Sequence, residues 1–181
     1  RFSVHTLCGL TREPIDKILA SNNDTKMSLN FDDVLKVKEI DIIDICLPPH
    51  LHISACKKSL EAGKHVICEK PLVSSLKEID ELENISKETG KIIFPVFQYR
   101  YGLGFSKFKA LIKSGLAGKP LIASLETHWN RGKDYYSKPW RGTWDGEQGG
   151  AILSHAIHIH DLVSMIPVSY THLTLPTIRL V

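Results

Sequence analysis

Gly63-Lys64-His65-Val66-Ile67-Cys68-Glu69-Lys70-Pro71-Leu72 is the stretch on which the fold turns. Gly63 reads as a helix stop, His65 to Cys68 as a short buried strand, and Glu69-Lys70 as a charged pair at the strand's carboxyl end. In an open parallel sheet, ligands bind outside the carboxyl ends of the strands. The proline that follows restricts the backbone of the residue before it, so Lys70 is aimed at that crevice. A lysine taken alone is far more often one solvated surface charge among many. Its neighbours decide between the two.

Just upstream, Ile42-Ile43-Asp44-Ile45-Cys46-Leu47 is a near-continuous apolar run of strand length, as expected of a strand covered on both faces of a parallel sheet. It stops at Pro48-Pro49-His50-Leu51-His52, and a helix follows with Ile53, Cys56 and Leu60 on one face. Downstream, Ser75-Leu76-Lys77-Glu78 is a capping-box sequence. Leu76, Ile79, Leu82 and Ile85 give its helix one apolar stripe, closed by Gly90. Ile92 to Phe97 predicts another strand, with Pro95 marking an edge or an irregular end. Near the start, Arg1 to Cys8 looks like the end of a strand. Gly9 to Pro14 turns into a helix carrying Ile15, Ile18 and Leu19, which Asn22-Asn23-Asp24 should end, and Asn30 can cap a short helix with Val34 and Leu35. Strand, helix, strand, helix, strand is the pattern of a parallel α/β sheet.

After Gln98-Tyr99-Arg100-Tyr101 the rhythm changes, and we place a domain boundary there: residues 1–97, then 98–166. Phe105, Phe108, Leu111 and Ile112 mark a helix ending near Gly115. Leu121 to Trp129 alternates like a half-buried strand. Asn130 to Gly150, with Trp140, Arg141 and Trp144, is either a lid or a loop pinned by aromatic packing. Ile152 to Ile166 is helical in period. Ser154, His155, His158 and Asp161 share one face, and Ile152, Ala156, Ile159, Val163 and Ile166 the other. That polar face is open to three readings: a solvated surface, a catalytic face, or a metal site. The last ranks lowest, because the HExxH order is absent and no cysteine is near. From Pro167, residues 167–181 abandon the pattern and connect to nothing earlier.

The 181 residues carry a net charge of +3, with 23 Lys and Arg spread along the chain. That is too little and too diffuse to argue for nucleic acid. No apolar run approaches the roughly 20 residues of a membrane helix, and no signal-peptide pattern opens the sequence. Cys8, Cys46, Cys56 and Cys68 form no CxxC pair and are expected as buried free thiols, which points to the cytoplasm.

With these residues in view, the chain resembles the Gfo/Idh/MocA family of NAD(P)-dependent oxidoreductases, from about residue 3 to 166. The likeness rests on ordered motifs: Leu47-Pro48-Pro49-His50-Leu51-His52, Ala62 to Val66 running into Glu69-Lys70-Pro71, Tyr99-Arg100, and Gly149-Gly150-Ala151-Ile152-Leu153 followed by His158 and Asp161. It implies an α/β fold: a Rossmann-type parallel sheet, here lacking its first strand and glycine-rich turn, followed by the beginning of an open-sheet α/β domain. By position in the motifs, cofactor contacts fall to Gly9, Thr11, Arg12, Leu47, Pro48, Pro49, His50, His52, Glu69, Lys70, Gln98 and Arg100. Catalysis falls to Lys70 and His158, with Ser154 or His155 as the latter's polar partner. Substrate contacts fall to Lys70, Trp140, Arg141, His155 and His158, and no metal is implied. The peptide before the family's EKP proline is often cis.

Two departures bear on chemistry. Gly9, with Thr11 and Arg12 behind it, stands where NAD-specific members carry an acid, which favours NADP over NAD. Ser154 stands where the family usually has an aspartate, leaving the proton-transfer partner open. The implied reaction is hydride transfer with a sugar, inositol or related polyol. The alternatives are an NAD-dependent glycoside hydrolase of the same family and a non-catalytic fragment. No membrane partner is implied, and family members are commonly homo-oligomers. The dehydrogenase assignment requires the Lys70 ammonium and the His158 imidazole to converge on one pocket.

Overall fold

The structure, a computed structural model, describes residues 2–19, 24–121 and 123–166. Two short parallel sheets form its frame. Strand β1 (Thr6–Cys8) leads through helix α1 (Arg12–Leu19) to β2 (Lys26–Ser28), which pairs beside it. After helix α2 (Phe31–Leu35) come β3 (Ile42–Ile45), α3 (His52–Glu61), β4 (His65–Cys68), α4 (Leu76–Thr89) and β5 (Ile93–Pro95). The three strands pair in parallel in the order β3-β4-β5. The expected ends Asn22 and Asn23 lie outside the described residues, as does the segment 167–181.

Local signals set most of these boundaries. The Asn30 side chain accepts from the Asp32 amide, and the Ser75–Glu78 box closes in both directions. Gly63 and Gly90 hold the left-handed geometry that ends α3 and α4. Pro95 closes the edge strand β5, where it removes no inner ladder bond. The core lies between β3, β4 and the two helices, built from Ile43, Ile45, Val66, Cys68, Cys56, Leu60 and Leu82. Each fully buried leucine here contributes about 1.5–3 kcal/mol.

Some expectations are corrected. Asp44 is exposed while Ile43 and Ile45 are buried, so β3 is covered on one face only. Leu76, in the first turn of α4, is 83% exposed and does not join the apolar stripe. Cys56 and Cys68 are buried, whereas Cys8 and Cys46 are exposed.

Beyond a turn at Gln98–Tyr101, α5 (Leu103–Lys113) is followed by residues 123–129, which form no strand; among the described residues none runs alongside to pair with them. The 130–150 segment contains two single helical turns, α6 (Lys133–Tyr136) and α7 (Trp144–Glu147). A π-helical turn, Ile152–Ala156, then runs into α8 (Ile157–Ser164). Among the described residues, no helix is long and apolar enough to cross a membrane.

Candidate active site

Because β3 and β4 run parallel, their carboxyl ends open on the same edge. Cys46 to Pro49 leave β3 and Glu69 to Pro71 leave β4. With Lys138, Trp140, Arg141 and Ser154 they line a cleft of about 380 Å³. The Lys70–Pro71 peptide is cis. Beneath the cleft His52 is 0% exposed, with Nδ1 2.7 Å from the Pro71 carbonyl and Nε2 2.7 Å from that of Leu47. Expected at the cofactor, His52 instead clamps the two rim segments together, and neither ring nitrogen is left for a ligand. Lys70 crosses the cleft and donates from Nζ to the Ser154 carbonyl on the π turn. Burial holds its amine below the ordinary lysine value; Arg141 adds to this and Glu69 opposes it.

The last helix inverts one expectation. Its polar face is the buried one: Ser154 is 4% and His158 3% exposed, while Ile152 is 37% exposed. The first turn is also π rather than α, a local widening often found at functional sites. Ser154 Oγ donates to the Gly150 carbonyl at 2.7 Å, and His155 Nδ1 lies 2.8 Å from that same Oγ. With its one hydrogen spent, the hydroxyl can only accept, so Nδ1 carries the imidazole hydrogen. His155 Nε2 then accepts from the Tyr135 hydroxyl at 3.0 Å, and the Tyr135 oxygen accepts from Arg141 Nη1. Arg141 is held in turn by Glu147 at 3.1 Å, whose other oxygen takes the Gly142 amide.

His158 stacks on Tyr99, ring centroids 4.5 Å apart, with Phe97 at its edge. Its Nδ1 is buried without a hydrogen-bond partner among the described residues. Asp161 takes Arg100, one of the expected cofactor contacts, with both carboxylate oxygens, which ties the turn at residues 98–101 to α8. The cleft thus brings Lys70 to Ser154. His158 lies one turn further on and does not line the cleft. The expected convergence of Lys70 and His158 on one pocket is therefore not met by the lining, although the Lys70 charge still acts on the imidazole.

Both imidazoles are pushed below the ordinary histidine value, first by burial and next by the Lys70 charge. The unfolded chain therefore binds protons more readily than the folded one. Stability is intact above about pH 6.5, the unfolded value, and falls as pH drops through the window down to the folded values. Thermal unfolding followed from about pH 7.5 to pH 5 should show Tm falling, with a shallower fall in His158→Gln. Identical slopes in the two proteins would remove His158 from the effect.

Of the other expected residues, Trp140 and Arg141 do line the cleft, with the guanidinium 3.9 Å over the indole, while Trp144 points to solvent. Leu47, Pro48, Pro49 and Glu69 line it too. Gly9, Thr11 and Arg12 sit at the end of β1, and His50 and Gln98 are exposed on their turns; none of these five lines the cleft. Tyr135, Lys138 and Glu147 were not anticipated. They fall in a segment without periodicity, and no sequence signal marked them.

The rim fits the nicotinamide end of a dinucleotide. Leu47, Pro48 and Pro49 offer an apolar wall to a flat ring, and the Glu69 acceptor and Lys70 donor stand side by side as ribose hydroxyls require. The family model described as an oxidoreductase family with an NAD-binding Rossmann fold matches residues 6–97, and that of the GFO/IDH/MocA C-terminal domain matches residues 105–169. The uncharacterized oxidoreductase YdgJ of Escherichia coli is 30% identical over 142 residues, 74% of this chain and 39% of its own length. An uncharacterized oxidoreductase of Schizosaccharomyces pombe is 31% identical over 147 residues, 78% of this chain and 38% of its own. The WlbA dehydrogenase of Bordetella pertussis, solved in complex with NADH and UDP-GlcNAcA, matches at TM-score 0.81 and 25% identity, over 91% of this chain and 47% of that one. Myo-inositol 2-dehydrogenase of Lactobacillus plantarum shares the fold at TM-score 0.74 and 23% identity, over 89% of this chain and 47% of that one. The chain spans less than half the length of these relatives. On the strength of both domain matches, the chain belongs to the Gfo/Idh/MocA oxidoreductase family.

Proposed function

We propose that the cleft is the nicotinamide end of a dehydrogenase site that moves a hydride between NAD(P) and a sugar or polyol hydroxyl. The observation that carries this reading is the Lys70 ammonium, half-buried at the carboxyl end of β4 and anchored across the cleft on Ser154. When bound, the cofactor supplies the hydride donor or acceptor. Hydride removal from a carbinol carbon needs the hydroxyl proton to leave at the same time. Lys70 stands where it takes that proton or holds the developing negative charge. His158, whose buried Nδ1 has no hydrogen-bond partner among the described residues, and His155, joined to Tyr135, are the candidates to exchange that proton. Burial and the Lys70 charge hold both toward the neutral form. The sugar side is supported by the WlbA and inositol dehydrogenase neighbours. NADP is favoured because the end of β1 offers Gly9, Thr11 and Arg12, and the first carboxylate after them, Glu13, is paired with Lys17.

The test is a panel of sugars and inositols assayed with NAD and NADP, in an enzyme of full family length that carries this chain. Reduced cofactor should accumulate, with the higher kcat/KM for NADP. No reduced cofactor with any substrate of the panel would sink the proposal.

A further inference from the structure

The cleft's charges are out of balance. The Lys70 ammonium meets a neutral carbonyl rather than a carboxylate. From the facing loop comes Lys138, exposed and with no carboxylate beside it among the described residues. Arg141 gives Nη1 to Tyr135 and Glu147, but its Nε is buried with no hydrogen-bond partner. Behind them the Arg131 guanidinium lies 5.2 Å from the Trp129 ring and 5.0 Å from that of Tyr135, again without a carboxylate among the described residues. The nearby acids are engaged already. Glu147 holds Arg141 and the Gly142 amide, and Glu69 takes the backbone N–H of Lys70.

Lys70 is half-buried with Glu69 to offset it, Arg141 has Glu147, and Lys138 and Arg131 are exposed, so positive charge is in excess around the cleft. An anion on a lysine or on the remaining guanidinium N–H groups offsets it. That excess suits a ligand that brings negative charge of its own. We propose that the substrate is a sugar or polyol derivative bearing a carboxylate or phosphate, which seats on Arg141 and Lys138 and places its reacting hydroxyl at Lys70. This rests on the dehydrogenase reading above and names its substrate class. Trp140, which lines the cleft next to Arg141, gives the carbon skeleton an apolar surface.

The experiment titrates glucuronate, glucose 6-phosphate and glucose into the chain without cofactor, by ligand-observed NMR at low and high salt. At least one anionic sugar should bind about tenfold or more tightly than glucose, and added salt should weaken it. Whichever anionic sugar binds identifies carboxylate or phosphate as the recognised group. Arg141→Gln and Lys138→Gln should each bring its affinity toward that of glucose. Lys138→Gln is decisive if Arg141→Gln unsettles the loop held by Glu147, since Lys138 carries no ion pair among the described residues. Equal affinity for glucose, no binding of any of the three, or unchanged affinity in Lys138→Gln overturns the proposal. So does displacement of the bound sugar by ADP-ribose, which assigns these cations to the cofactor's phosphates. No hydride moves in this titration, so failure of the dehydrogenase reading shows separately, as absent turnover with anionic sugar binding intact.

Discussion

Lys70→Ala should lower kcat by about 10²–10⁴-fold in an enzyme of full family length, the range a positioned proton-transfer group supplies. Its folding should survive. The lysine's amine sits below its ordinary value because burial disfavours the charge, so removing the cation removes a strained group rather than a stabilising one. Activity and Tm are therefore expected to part company: a large kinetic loss with a fall in Tm no greater than loss of the one hydrogen bond to the Ser154 carbonyl causes. Lys70→Arg divides the two roles. Arginine keeps the cation but does not give up its proton at working pH, so retained activity means charge stabilisation and lost activity means a base. If the lysine acts as a base, the acid limb of kcat/KM follows its lowered value and lies below that of free lysine. An unchanged kcat in Lys70→Ala would take the residue out of the mechanism.

His52→Leu should cost about 1–3 kcal/mol, the penalty for one buried carbonyl left without its donor, because one imidazole tautomer has a single N–H to give to the two carbonyls. Against a typical margin of about 5–15 kcal/mol, that is a measurable fraction of the whole. The carbonyls concerned, Leu47 and Pro71, belong to the two segments that form the cleft's rim. The variant should then lose activity as well as stability, through displacement of Lys70 from its line across the cleft. Urea denaturation measures the first effect, and a loss under about 1 kcal/mol would mean that the carbonyls find other donors.

What the sequence disclosed and what it withheld divide along a physical line. Helix ends were legible because their causes are local: the Ser75–Glu78 box, the Asn30 cap, and glycines 63 and 90 each act within a few residues. The strand run and its lysine were legible because parallel sheets put ligands at one known edge. The helix after residue 151 was half legible. Periodicity states which side chains share a face but not which face turns inward, and Ser154 and His158 turned inward. Nor does periodicity announce a π turn, which costs one residue of register. The strand expected over Leu121–Trp129 depended on a partner strand, a distant condition that alternation alone does not satisfy. Motif placed His52 and Arg100 at the cofactor but did not disclose the pair of carbonyls and the carboxylate on α8 that hold them. Tyr135, Lys138 and Glu147 reached the site through tertiary folding of a loop.

One consequence follows from the bond that spans the cleft. Its acceptor at residue 154 is main chain, not hydroxyl. Every amino acid carries that carbonyl, so the side chain there can be exchanged, for an aspartate as much as for a serine, while the ammonium opposite keeps its bearing. Chemistry at that position can drift without the lysine losing its aim.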